Sequence, residues 1–165
     1  MGKGGADMKC DANTFAQMYE TVYRDLYRFA LCMTRHPQDA EDVVSESVIA
    51  AYENIGKLRN KDAFCNWIFT ITANKCKKKQ LELSKKSSAS EEEIDQCQQV
   101  ENDYGLAMDV RKAFFILTEE EQLIVGLSVI GGYNSKEIGK MLSLNAGTVR
   151  SKRSRALDKM ECLLK

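Results

Sequence analysis

Residues 135–155 read SKEIGKMLSLNAGTVRSKRSR. Ser135 can cap a short helix in which Ile138, Met141 and Leu142 share one face at amphipathic helical spacing. Ser143, Leu144 and Asn145 make a three-residue turn, and Asn145 can cap a longer helix from Ala146 to about Leu164. On that helix Val149, Ala156, Leu157 and Met160 are expected to face inward, leaving Thr148, Arg150, Ser151, Lys152, Ser154 and Arg155 toward solvent. A short helix, a tight turn and a longer basic helix is the pattern of a helix-turn-helix, whose second helix enters the major groove of DNA. Arginine can donate two hydrogen bonds to guanine, serine and threonine reach base edges or phosphates, and lysine neutralises phosphate. An arginine-rich solvated face is the competing reading of the same helix.

Upstream, Thr118 followed by Glu121 is a capping box ahead of a helix that buries Leu123, Ile124 and Leu127 and stops at Gly131 and Gly132. Before it, a helix from near Tyr104 presents Leu106, Ala107, Val110, Ala113, Phe114 and Leu117. Residues 84–103 offer few apolar anchors: a Ser-Lys-Lys-Ser-Ser-Ala-Ser run is followed by the acidic Glu91, Glu92, Glu93 and Asp95. This stretch reads as a linker, longer than most connections inside a compact domain, and it divides the chain in two.

The first half repeats the helical period three times. Met18, Val22, Leu26, Phe29, Ala30 and Met33 recur as one amphipathic face from Phe15 to about Thr34. Pro37 suits the first turn of a second helix, which carries Ala40, Val43, Val44, Val48, Ala51, Tyr52 and Ile55 inward, with Gly56 as its stop. Asp62 can cap a third helix with Phe64, Trp67, Ile68 and Ile71 on one face, and beyond Asn74 that helix turns cationic through Lys75, Lys77, Lys78 and Lys79. Trp67 reads as core, by its spacing with Phe64 and Ile71. The chain is therefore all-α: residues 1–12 are a flexible extension, 13–83 a three-helix bundle, 84–103 the linker, and 104–165 the helix-turn-helix domain.

Composition narrows the function. The 165 residues hold one proline, which argues against turn-rich all-β designs, and the 24 basic and 24 acidic side chains cancel only on average. One basic block runs from Lys75 to Lys86 and a second from Arg150 to Arg155, with the acidic run between them, which suits a chain that meets a polyanion at two places. The six cysteines show no C-x-x-C pair, and Cys32 with His36 lacks a second pair of ligands, so no metal or other cofactor is expected. Cys32 and Cys65 read as buried packing, in a reduced, cytoplasmic setting. The lone histidine has no evident nucleophile to serve, and no phosphate-binding or dinucleotide loop is present, so catalysis is not expected.

Three segments, in order, resemble one family. Asp39 to Tyr52 (DAEDVVSESVIAAY) resembles the region 2.2 helix of extracytoplasmic-function sigma factors, Asn66 to Asn74 (NWIFTITAN) their region 2.3 to 2.4 helix, and Gly147 to Ser151 (GTVRS) their region 4.2. The resemblance covers residues 13–165. It implies an alternative sigma factor of the sigma-70 family that binds core RNA polymerase and directs promoter-specific initiation. Asp39, Glu41, Asp42 and Glu46 would meet the coiled coil of the polymerase β′ subunit, and the second domain the β flap. Lys61, Asn74, Lys75 and Lys78 form a cationic, hydrogen-bonding track for the melted minus-ten element, with a flipped base held beside the preceding loop. Arg150, Ser151 and Ser154 would read the minus-thirty-five element, with Lys152 and Arg155 on phosphates. An anti-sigma partner is implied as well. Ser45 stands where the family usually has glutamine, Val48 where phenylalanine is frequent, and Thr118 where a Leu-Pro pair is common. A stand-alone helix-turn-helix regulator and a helical protein-binding adaptor remain the alternatives.

Overall fold

The computed structural model describes residues 12–86 and 108–164. Among these residues there are seven α-helices and no strand. The first three are α1 (Ala12–Thr34), α2 (Pro37–Glu53) and α3 (Phe64–Lys86). The other four are α4 (Met108–Phe115), α5 (Glu119–Val129), α6 (Ser135–Leu142) and α7 (Ala146–Leu164). The acidic run at 91–95, most of the expected linker, and Tyr104, Leu106 and Ala107 lie outside the described residues, as does the expected extension up to residue 11. None of the described helices is long and apolar enough to cross a membrane.

Helices α1, α2 and α3 pack around Phe15, Val22, Leu26, Val43, Val44, Phe64 and Ile68, all buried. Edge-to-face ring pairs close one end, with Phe15 5.6 Å from Phe64 and 5.2 Å from Tyr52 between centroids. Two buried hydroxyls bond back into their own helices, Ser47 Oγ donating to the Val43 carbonyl at 2.7 Å and Thr72 Oγ1 to the Ile68 carbonyl at 2.8 Å. Neither therefore carries an unmet donor into the core.

The boundary chemistry departs from the sequence reading in detail. Asn54, not Gly56, ends α2: its backbone N–H donates to the Ala50 and Ala51 carbonyls, its side-chain amide donates to Ala50, and Gly56 lies in a following 3-10 turn. Asp62 does not cap α3. Asn60 accepts from the Asp62 N–H at 2.9 Å to cap the 3-10 turn Lys61–Ala63, which runs straight into α3. At α6 the cap is Asn134 rather than Ser135, reciprocated by Glu137 in a full capping box. The Thr118–Glu121 box stands as expected, with Thr118 Oγ1 accepting from the Glu121 N–H.

The α6–α7 turn has the geometry of a helix-turn-helix. Ser143 takes a left-handed conformation at φ 60°, and the Leu144 N–H donates to the Gly139 carbonyl at 2.7 Å. A Cβ on Gly139 would lie 2.6 Å from the Leu144 carbonyl oxygen, so this position requires glycine. Asn145 accepts from the Gly147 N–H at 2.7 Å and starts α7. Val149, Ala156 and Met160 then pack inward as read, but Leu157 does not: it is 42% exposed, on the flank of the buried stripe. Tyr52 is likewise exposed, despite its edge contact with Phe15.

The two halves share one hydrophobic core. From Leu26 to Thr34 every residue of α1 except Arg28 is buried, because α2 and α3 cover one side and α5 lies on the other. Phe29 sits where a Cβ on Gly126 of α5 would be 2.8 Å from its ring, and Phe69 of α3 meets Tyr133 edge-on at 5.4 Å. Ile68→Ala, at a fully buried site in the middle of the bundle, is expected to cost about 2–5 kcal/mol, read as a lower urea midpoint at unchanged slope.

Candidate nucleic-acid interface

With the apolar faces turned inward, three polar surfaces remain. The first is the outer face of α2. Glu41, Asp42, Ser45 and Glu46 are exposed along it, and Ile49 and Tyr52 continue the stripe as exposed apolar groups. Asp39 stands at its start, half-buried, with Oδ1 3.6 Å from Lys79 Nζ of α3. An acidic stripe that runs into exposed apolar groups suits a protein-binding face, in which the apolar groups supply area and the charges supply orientation. Ile49 was not singled out in the sequence, although its place three residues beyond Glu46 marks it as part of that face.

The second surface is the outer face of α3. Asn74 and Lys78 are exposed and Lys75 half-buried, while Lys61 is exposed on the 3-10 turn just ahead of the helix. Positions 67, 71, 74 and 78 fall on one stripe at helical spacing, so Trp67 and Ile71, both half-buried, underlie the cationic end. Trp67 leans on Phe64, with ring centroids 6.4 Å apart. Asn74 and Lys78 share that stripe, Lys75 lies one position off it and Lys61 on the turn ahead of the helix, whereas Lys79 is turned toward Asp39.

The third surface is the first half of α7. Thr148, Arg150, Ser151, Ser154 and Arg155 are exposed, and Arg155 Nε donates to the Ser151 carbonyl at 3.4 Å. Lys152 differs. It is half-buried on the flank beside α5, and its ammonium pairs with Glu120. Arg153 donates to Ser128 Oγ at 3.4 Å, and Lys159 holds both Glu121 oxygens at 3.1 Å. These tethers fix the azimuth of α7 and aim the Ser151, Ser154 and Arg155 side away from the core. Of their acidic partners on α5, Glu121 is named from the sequence only as part of a capping box, and Glu120 is not singled out.

Of the two cysteines expected to be buried, Cys32 is and Cys65 is not. Cys32 and Cys76 are buried, but Cys65 is exposed, because it falls on the solvent side of the first turn of α3. Burial pushes the Cys76 thiol far above its usual range, with the neighbouring Cys32 adding to the effect, so that thiol is unreactive. An apolar cavity of about 150 Å³ lies among α4, α5 and α7, lined by Val110, Phe114, Val125, Leu157 and Met160 and closed on one side by Cys32 of α1.

Two family descriptions match this architecture, Sigma-70 region 2 over residues 18–85 and Sigma-70 region 4 over residues 113–161. The chain belongs to the sigma-70 family of RNA polymerase sigma factors and is an alternative, extracytoplasmic-function type initiation factor. It is similar to the ECF RNA polymerase sigma factor SigM of Mycobacterium tuberculosis, at 27% identity over 158 residues that cover 93% of this chain and 79% of the relative. Its fold matches the sigma factor RpoE from Bartonella quintana in complex with the anti-sigma factor NepR, with a TM-score of 0.73 at 19% identity, covering 93% of this chain and 98% of that one. It also matches CnrH in complex with the cytosolic domain of CnrY, with a TM-score of 0.70 at 21% identity, covering 93% and 89%.

One tether yields a pH prediction. Burial alone would raise the Glu121 carboxyl, but the Thr118 backbone N–H, the Lys159 ammonium and the Thr118 hydroxyl together hold it below its ordinary value. A carboxyl depressed by folding adds stability above its unfolded pKa of about 4.3, and that stability is lost as pH falls through the folded value. Wild type should therefore exceed Glu121→Gln in urea stability at pH 7, and the two curves should converge as the pH falls through the depressed folded value.

Proposed function

We propose that the three surfaces divide the work of promoter-specific initiation. Residues 13–83 act as the polymerase-binding and minus-ten unit, and residues 104–165 as the minus-thirty-five unit. The outer face of α2 docks on the β′ coiled coil through Asp39, Glu41, Asp42 and Glu46, with Ile49 and Tyr52 supplying the apolar area. Ser45, exposed on that face, offers a shorter hydrogen-bonding group than the usual glutamine.

The α3 edge takes the non-template strand once the duplex opens. Lys61, Lys75 and Lys78 neutralise its phosphates, and Asn74 offers both a donor and an acceptor to a base edge. A flipped base is held beside the loop that precedes α3. Helix α7 enters the major groove of the upstream element, with Arg150, Ser151 and Ser154 toward base edges and Thr148 and Arg155 toward the backbone. Lys152 reaches phosphate by leaving Glu120. The apolar cavity beside α4, α5 and α7, with Val129 and Leu157 exposed around it, suits an apolar side chain from the β flap.

Recruitment and melting need binding and positioning but no covalent step, so the chain acts without cofactor and without catalysis, in the cytoplasm. An anti-sigma partner belongs to this reading, since RpoE was solved with the anti-sigma factor NepR bound and CnrH with the cytosolic domain of CnrY.

The observation that supports the reading is that two separate helices, α3 and α7, expose basic and polar side chains while α2 exposes an acidic face. A stand-alone regulator would need α7 alone and leaves α2 and α3 unexplained.

Run-off transcription with purified core polymerase on a genomic fragment library should give new transcripts that share two upstream elements. Duplex binding by the chain alone, with no new transcripts, would favour the stand-alone regulator instead. Glu41→Lys with Asp42→Lys should abolish co-purification with core enzyme while leaving helical circular dichroism unchanged. Arg150→Ala should cost about 1–3 kcal/mol of affinity for the cognate upstream element and little on other sequences, whereas an equal loss everywhere would make it a phosphate contact.

A further inference from the structure

The cavity among α4, α5 and α7 has a wall of one chemical kind. Val110 and Phe114 of α4, Val125 of α5 and Met160 of α7 surround it, and Cys32 of α1 forms its floor. Among the described residues that line it, none turns a polar atom toward the space, and Arg111 borders it only through the carbons of its stem. Phe114, Val125, Met160 and Cys32 are buried, so core packing rather than surface rotamers sets the shape of the wall. The side bordered by the exposed Val129 and Leu157 opens to solvent and gives a way in.

A volume of about 150 Å³ would hold water by size alone, but a buried water needs about two to four hydrogen-bonding partners, and this wall offers none. Water is therefore a poor occupant, and an empty space leaves the lining carbons without dispersion partners on one side. A guest without polar groups resolves both. Charged and strongly polar molecules are excluded, because an unpaired polar group buried here loses more in hydration than it gains in contact. Size narrows the class further, since apolar protein cavities of this volume take up benzene. The Phe114 ring and the Met160 thioether favour an aromatic guest over an aliphatic one of equal size, because ring edges and polarizable sulfur both attract a second ring.

We infer that this cavity is a binding site for a small neutral aromatic molecule, a single ring with at most a short apolar substituent, which enters past Val129 and Leu157 and is held by α4, α5 and α7 against Cys32. Two consequences follow from occupancy. The bound ring fills a gap among four helices, so it stabilises the folded chain by mass action as its concentration rises. It also takes the space that the proposed function gives to an apolar side chain of the β flap, so the aromatic molecule and core polymerase exclude one another. The second consequence rests on that reading of the flap contact, whereas the site itself does not.

Fluorobenzene tests the site, titrated into the free full-length chain carrying labelled methionine methyl groups and followed by fluorine and methyl NMR. Binding should saturate with a dissociation constant on the order of 1 mM, which asks less of each ring atom than the best small ligands achieve. The methyl group of Met160 should shift most among the seven methionines, and the melting temperature should rise with fluorobenzene concentration. Two variants fill the space from different walls, Val110→Phe from a half-buried position on α4 and Val125→Leu from α5. Each should weaken fluorobenzene binding by at least about tenfold with helical circular dichroism unchanged, and should one of them fail to fold the other decides. No saturable binding, a Met160 methyl that stays in place, or unaltered affinity in a folded variant would overturn the site. Core polymerase added to the loaded chain should displace the probe. A chain that binds polymerase and fluorobenzene together would overturn the competition and count against the flap contact, while the site in the free chain would stand on its own measurement.

Discussion

The structure depends on the burial of one helix end from all sides. Over its last two turns α1 places Leu26, Phe29, Ala30, Leu31 and Met33 at or near zero exposure, with Tyr27 and Cys32 also buried. A helix apolar all round cannot be satisfied by one neighbour. Helices α2 and α3 cover it on one side and α5 on the other, and the small residue at 126 sets how closely α5 approaches. Burying a large apolar side chain is worth about 1.5–3 kcal/mol, so the shared end of α1 supplies a large part of what joins the two halves.

Every functional surface follows from which faces that packing leaves free. With Val43, Val44 and Ser47 of α2 inward, its acidic stripe points out. With Ile68, Thr72 and Cys76 of α3 inward, Asn74 and Lys78 come out along the stripe begun by Trp67. On α7 the buried Val149, Ala156 and Met160 set the roll, and the Glu120 and Glu121 tethers to Lys152 and Lys159 reinforce it.

Much of this is legible in the sequence because local rules carry it. Helical periodicity placed α1, α2, α5, α6 and α7, and the Thr118 and Asn145 caps are chemistry a reader can name. What escaped is non-local. Leu31 lies off the amphipathic face of α1 yet is buried, and nothing nearby in the chain announces that α5 packs on that helix. Phe69 lies outside the face of α3 read from spacing, and it is buried against Tyr133 from the other half. Leu157 and Tyr52 were placed inside by spacing, yet both sit on the flank of a buried stripe, where a shift of one position exposes them. Lys152 reads as a free cation, and only the fold brings Glu120 beside it. The choice between Asn134 and Ser135, or Asn60 and Asp62, as cap turns on backbone angles that neighbouring polar residues could equally supply.

The central claim is that one chain delivers polymerase to two promoter segments and opens the downstream one. Permanganate footprinting with nuclease protection on a promoter recovered by run-off transcription tests it directly. With core enzyme and this chain together, protection should appear at two segments about 25 base pairs apart, with reactive, unpaired thymines confined to the downstream one. Protection of a single upstream segment by the chain alone, with no reactive thymines when core enzyme is added, would contradict the account.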